Sequence, residues 1–398
     1  MKEEVNIKTS CDQCYCPCGV IVKRVGGVVT KIDGDPTSHQ NLGRVCAKGH
    51  SAIMSYYNPN HIKKPLKRTN PEKGLGVDPK FVEISWDEAM DTIVEKLKKV
   101  REDDPKKLIF STFDTGVILE AFAWIISFGA SPYTNWYTAT YFCGSGLHQY
   151  TYLTNASFHS YPDLEYCNYL ILVGSGHGFG VGCNPNISSQ KMADARMRGM
   201  KVIVIDPMCS HAAAKANEWI PIVPGTDGAM AMAMLNVLLN EKGIYDREFL
   251  KKQSNAPYLV RPDGRYARDK KTKKPLIWDP GENIAKPYDV PISDYVIEGE
   301  KTYKVDGEEC RPAFQLLKEH VREWSCEKAS EITTIPAETI RRLAEEYGEA
   351  ARIGSTIVID GEELPYRPAA NNQYRGAYSH KHGGQSALAW KGSLFHTS

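Results

Sequence analysis

Four cysteines near the start of the chain, Cys11, Cys14, Cys18 and Cys46, are the side chains best suited to chemistry. They read C-x2-C-x3-C, followed by a gap of 27 residues before the fourth. Thiolates converging on one point hold a metal centre or pair as two disulfides. Zinc sites usually show two C-x2-C knuckles, and this spacing is closer to that of iron–sulfur ligands. No apolar leader or twin-arginine stretch stands before Cys11. The expected location is therefore cytoplasmic, or periplasmic if a signal had been removed. In a reducing compartment clustered cysteines serve as ligands rather than bridges. A [4Fe–4S] cluster is the expectation, with zinc and disulfides as alternatives. Cys16 lies inside the run and is a spare able to replace Cys14 or Cys18 as ligand. The remaining cysteines, among them Cys143, Cys167 and Cys209, are scattered, and most read as small buried apolar side chains.

The fourth cysteine must be returned by a hairpin. The β-rich runs 20–25 and 28–32 supply one, joined by Gly26-Gly27, a pair suited to positive φ. Beyond it the pattern changes. Ser85 and Glu88 form a capping box ahead of a helix to about residue 102. Apolar runs at 108–110, 169–173 and 202–205 read as strands, with helices between them. A helix is expected from Pro336 to Tyr347 with Gly348 as its C-cap, then a strand over 355–359. Apolar strands alternating with helices imply an α/β fold whose parallel sheet is covered on both faces.

Ligands of such sheets bind beyond the carboxyl ends of the strands. The glycine-rich turn 174–178, Asp206-Pro207, and the turn 224–228 with Asp227 as N-cap of a helix over 229–239 all fall there. Together they suit a nucleotide-like ligand. A nicotinamide site is disfavoured, because Phe179 breaks the G-x-G-x-x-G pattern. The segment 253–303 is turn-rich, charged and non-periodic, and reads as a surface excursion with short hairpins. At 398 residues with a net charge of +1, the chain offers no bulk charge to hold nucleic acid or a membrane surface. It also has no run of 18 apolar residues, so direct membrane insertion is not expected.

Taken in order, these landmarks resemble the dimethyl-sulfoxide-reductase superfamily of molybdopterin oxidoreductases, whose molybdenum or tungsten is held by a bis-pterin-guanine-dinucleotide. The resemblance rests on the four cysteines with Ala47-Lys48-Gly49, on Ile84-Ser85-Trp86-Asp87-Glu88-Ala89, on Cys143, on Gly174-Ser175, on Asp206-Pro207 and on Pro224-Gly225-Thr226-Asp227-Gly228. It implies that Cys143 is the Mo or W thiolate and that Lys48 is the cation between cluster and pterin. Gly174, Ser175, Asp206, Thr226 and Asp227 match positions that hold the dinucleotide arms, with Pro207 and Gly225 in the same turns. The segment 374–384 looks like the Y-R-G…H-x-N-G stretch of the tetrathionate, sulfur, polysulfide and arsenate reductase branch. There His380 would contact an oxyanion, and His382 replaces the usual asparagine.

The resemblance further implies a [4Fe–4S] domain over 1–63 and an α/β part with the metal-ligand loop over 64–150. A Rossmann-like domain over 151–352 carries the 253–303 insert, and 353–398 returns to the earlier α/β domain, truncated. The implied activity is two-electron reduction or oxidation of a small sulfur- or arsenic-type oxyanion. Partners would be a second chain supplying the absent C-terminal half and an iron–sulfur electron-transfer subunit. Rival readings are a non-catalytic electron-transfer subunit of the same fold and a tungsten-dependent hydratase. The hydratase acid follows the second cluster cysteine, where this chain has Tyr15; here Asp12 follows the first.

Overall fold

The computed structural model describes residues 3–14, 16–110, 118–130, 161–180 and 185–373. The chain divides into two compact units, one of residues 1–141 with 182–190, the other of 142–181 with 191–398. No helix among the described residues is long and apolar enough to cross a membrane.

The first unit opens with an antiparallel sheet of β1 (Glu4–Ser10), β2 (Gly19–Val25) and β3 (Val28–Gly34). The Gly26-Gly27 turn has φ of 55° and 85°, the paired positive values a tight hairpin needs. Strand β1 is polar on most of its length and gave no strand signal; it is held by pairing with β2 over its whole length. A short hairpin, β4 (Leu66–Arg68) with β5 (Phe81–Glu83), precedes the helix Trp86–Asp103. Ser85 caps that helix, its Oγ accepting the Glu88 N–H at 3.0 Å. Leu97 and Val100 pack against Ile125 and Phe128 of the helix Ile118–Phe128. The strand expected at 108–110 does not form. Asp104 caps a 3-10 turn over Pro105–Lys107, and Leu108 and Phe110 then pack into the helical cluster instead of joining a sheet.

The second unit is built on a parallel sheet in the order β16-β6-β7-β8, from β6 (Tyr169–Val173), β7 (Lys201–Ile205), β8 (Glu218–Ile220) and β16 (Ala369–Gln373). All five residues of β6 are buried, and alternate ones face opposite layers. Ile171 and Val173 pack with Met230, Met234, Leu343 and Tyr347 from the helices Asp227–Asn236 and Ala337–Ala350. Leu170 and Leu172 pack with Met192 and Ala195 of the helix Pro185–Met197. This is the two-faced parallel sheet expected from the sequence.

Two local expectations are corrected. Gly348 is not a C-cap but lies within the helix Ala337–Ala350, where a Cβ would stand 2.6 Å from Leu238 Cδ2; the glycine admits a close helix contact. Asp227 is the first helical residue, and Thr226 holds the N-cap position. After the hairpin β14 (Thr356–Ile359) and β15 (Glu362–Pro365), β16 pairs parallel with β6.

The 253–303 excursion is more than surface loop. Strands β9 (Leu259–Val260), β12 (Tyr303–Val305) and β13 (Glu308–Pro312) form one sheet, and β10 (Leu276–Asp279) pairs with β11 (Ile284–Pro287). They enclose a small core of Leu259, Leu276, Trp278, Tyr303 and Cys310.

Candidate cluster and cofactor sites

Pairing of β1 with β2 aligns Ser10 with Gly19, which closes residues 11–18 into a loop. The Cys11 N–H donates to the Cys18 carbonyl at 2.8 Å, and the Cys18 N–H to the Cys16 carbonyl at 2.8 Å. Cys46 returns at the N-cap position of the short helix Ala47–His50. Its loop is fastened by Asn41, fully buried, whose Oδ1 accepts the Gly19 N–H while its Nδ2 donates to the carbonyls of Gly19 and Arg44. The Gly19 carbonyl also accepts the Asp35 N–H at 2.9 Å. These bonds bring the fourth cysteine back beside the first three.

The thiols influence one another. Burial pushes the Cys18 thiol pKa up, a side-chain bond from Asn186 opposes this, and the neighbouring Cys11, Cys14 and Cys46 raise it further. No disulfide joins these four cysteines. At Gly49, beside Cys11, a Cβ would clash with Val45 Cγ1 at 2.5 Å. Four free thiols carried by one closed loop and one helix start, with Cys18 feeling the other three, are the donor set of an iron–sulfur centre, and the residues fit a [4Fe–4S] group. Cys16 is buried within the same loop, and Lys48 is exposed in the helix that Cys46 begins.

In the second unit the strand order reverses between β6 and β16, which makes their carboxyl ends the switch point where α/β sheets take ligands. Gly174 leaves β6 with a φ of 53°. Ser175 is buried and its Oγ lies 2.6 Å from Asn372 Oδ1, at the end of β16. The His177 N–H donates back to Ser175 Oγ at 3.3 Å, and the His177 ring stacks on Tyr161 at 5.5 Å between centroids. Burial lowers the His177 pKa to about 4, so the ring is neutral at ordinary pH. Gly178 has a φ of 77°, and a Cβ there would strike Met192. The helix expected after this turn is described over Pro185–Met197.

Farther along the same edge, Asp206 follows β7, with its Oδ1 accepting the Met208 N–H at 3.0 Å and its carbonyl accepting the Trp219 Nε1–H at 2.8 Å. Pro207 is exposed beside it. Gly225 has a φ of 85°, Thr226 Oγ1 donates to the Val223 carbonyl, and Asp227 is buried in the first turn of its helix. A carboxylate is favoured there by the helix dipole. Each sequence-predicted turn residue thus lies at the carboxyl edge of the sheet, while Cys143 and His380 lie outside the described residues. Burial pushes the Cys167 thiol up to about 12, which makes it a core side chain.

Four residues had no signal in the sequence: Asn41, Asn186, Asn372 and Gln373. Single amides carry no spacing pattern. Only the return of residues 35–46 to the hairpin, of β16 to β6, and of the start of the helix Pro185–Met197 to Cys18 reveals what they touch.

Comparison with known proteins agrees with this geometry. Residues 4–58 match the molybdopterin oxidoreductase Fe4S4 domain, and residues 62–360 match the molybdopterin oxidoreductase family. The chain belongs to the molybdopterin oxidoreductases, whose cofactors are a [4Fe–4S] cluster and a molybdenum or tungsten pterin. It is 33% identical to a sulfite dehydrogenase subunit of Allochromatium vinosum over 413 aligned residues, covering 96% of this chain and 41% of that protein. It is 27% identical to the arsenate respiratory reductase molybdopterin-containing subunit of Shewanella sp. (strain ANA-3), covering 87% of this chain and 36% of that one. Among solved structures, acetylene hydratase from Pelobacter acetylenicus superposes with a TM-score of 0.65 at 23% identity, over 96% of this chain and 42% of that chain. The chain spans about two fifths of the length of these relatives.

Proposed function

We propose that this chain is the amino-terminal part of a Mo- or W-bis-pterin oxidoreductase acting by two electrons on a small sulfur- or arsenic-type oxyanion. The observation that carries the reading is the Asn41-fastened loop that returns Cys46 to the hairpin bearing Cys11, Cys14 and Cys18, in a chain whose second unit has a sheet edge suited to a dinucleotide. Sulfite and arsenate figure in the names of two relatives, which supports the substrate class.

When bound, the cofactors supply a one-electron relay and a metal centre that changes oxidation state by two. The chain's own residues do the rest. Cys11, Cys14, Cys18 and Cys46 would hold the cluster as thiolates. Lys48, exposed just beyond Cys46, would be the cation between cluster and pterin. Gly174, Ser175, Asp206, Pro207, Gly225 and Thr226 line the turns that receive the dinucleotide arms. Asp227 accepts hydrogen bonds from a guanine N1–H and N2 amine. Cys143 would supply the thiolate to Mo or W, and His380 would contact the substrate oxyanion. The remaining part of the fold and an iron–sulfur protein complete the enzyme as partners.

The test is metal analysis and turnover of the complex purified anaerobically with its partners, as wild type and as Cys143→Ala. The proposal expects Mo or W with pterin in the wild type and loss of nearly all turnover with sulfite, thiosulfate or arsenate in the variant, iron unchanged. Iron-replete wild-type complex without Mo, W or pterin would point to a non-catalytic electron-transfer subunit instead.

A further inference from the structure

The amide of Asn186 lies against a candidate cluster ligand. Its Nδ2 is 3.4 Å from Cys18 Sγ, within hydrogen-bond reach of a sulfur acceptor, and Cys18 is only 8% exposed. Both residues belong to the first unit, although they are far apart in sequence. Asn186 stands in the first turn of the helix Pro185–Met197, so its backbone is held while its side chain reaches the thiol.

We infer that Asn186 raises the reduction potential of the [4Fe–4S] cluster by donating an N–H···S hydrogen bond to the Cys18 thiolate. The inference rests on the reading of Cys18 as a cluster ligand. A metal-bound thiolate has no proton and accepts only, so the amide nitrogen rather than the oxygen must face it. One-electron reduction adds one negative charge to the cluster and its ligands, and no proton moves. An N–H dipole aimed at Sγ stabilises the reduced state more than the oxidised one. Little water reaches Cys18, so little solvent is available to replace that dipole. Hydrogen bonds to cluster sulfurs are among the levers that set such potentials. Asn186 acts through Cys18 and touches no substrate.

The experiment is a redox titration of the full chain with its partners, using dithionite as reductant and the low-temperature EPR signal of the reduced cluster as readout. Wild type is compared with Asn186→Leu, which removes the donor, and Asn186→Asp, which turns an acceptor toward the thiolate at constant shape. Both variants are expected to keep the wild-type iron content. Asn186→Leu should lower the equilibrium constant for electron uptake about tenfold, or about 59 mV for one electron. Asn186→Asp should lower it further. A strongly coupled exchangeable proton, seen by electron–nuclear double resonance in the wild type, should be missing in Asn186→Leu.

An unchanged midpoint potential in either iron-replete variant would overturn the inference. So would loss of iron from both variants, because Asn186 would then be holding the cluster rather than tuning it. Wild-type protein without iron would overturn the ligand assignment itself, and this inference with it.

Discussion

Asn41 grips Gly19 by both of its backbone polar groups, its Oδ1 accepting the Gly19 N–H at 2.9 Å and its Nδ2 donating to the Gly19 carbonyl at 2.9 Å. The second Nδ2 hydrogen goes to the Arg44 carbonyl at 2.7 Å, so both amide donors are used while the residue is buried. One residue thereby ties the strand after Cys18 to the loop before Cys46. Asn41→Leu would leave three backbone groups without this partner, at about 1–3 kcal/mol for each one that stays buried and unsatisfied. The expected outcome is a lower melting temperature and an iron content below about half of wild type, read by iron assay on anaerobic protein. Full iron retention would show that the loop closes without Asn41.

Gly348 tests the helix contact in the second unit. Alanine would gain up to about 1 kcal/mol of helix propensity. Its Cβ would also come within 2.6 Å of Leu238 Cδ2 and 3.2 Å of Ile244, in a core where Leu238 is fully buried. Overpacking of this kind costs about 1–3 kcal/mol and outweighs the propensity gain. Gly348→Ala should therefore lower the thermal midpoint, whereas a true C-cap glycine would show its loss through helix fraying. Calorimetry on the two proteins decides it.

His177 gives a pH dependence with a definite sign. Its folded pKa of about 4 lies below the ordinary 6.5, because burial disfavours the charged ring. Its contribution is therefore complete above pH 6.5. It is lost as pH falls toward 4, where the unfolded chain binds a proton that the folded chain refuses. At about 1.4 kcal/mol per pH unit, the loss across that window is on the order of 3 kcal/mol. Denaturant melts of wild type and His177→Asn between pH 7 and pH 4 should show a steeper decline for the wild type. Parallel curves would mean that His177 takes up its proton as freely folded as unfolded.

Much of this architecture was legible in the sequence because it rests on local rules. Gly26-Gly27 specified the hairpin turn, Ser85 the helix cap, and the all-apolar run 169–173 the buried central strand. What escaped depends on contacts between distant segments. The strand expected at 108–110 lost to the Pro105–Lys107 turn and to packing against a neighbouring helix. Gly348 reads as a stop signal until Leu238 is seen against it. The polar strand β1 has no apolar alternation of its own and depends on β2. The turns at 174–178, 206–207 and 224–228 are legible as turns by their place after strands, yet Asn372, the partner of Ser175, comes from a strand that follows by nearly two hundred residues.

The cluster is the centre of the account, and iron with acid-labile sulfide in anaerobically purified protein measures it most directly. Wild type should carry about four irons and four sulfides per chain, with an EPR signal on reduction. Cys18→Ala should lose most of both, and Cys16→Ala should keep them. One tightly bound zinc and no iron in the wild type, or iron lost with Cys16 and kept without Cys18, would contradict the assignment of Cys11, Cys14, Cys18 and Cys46.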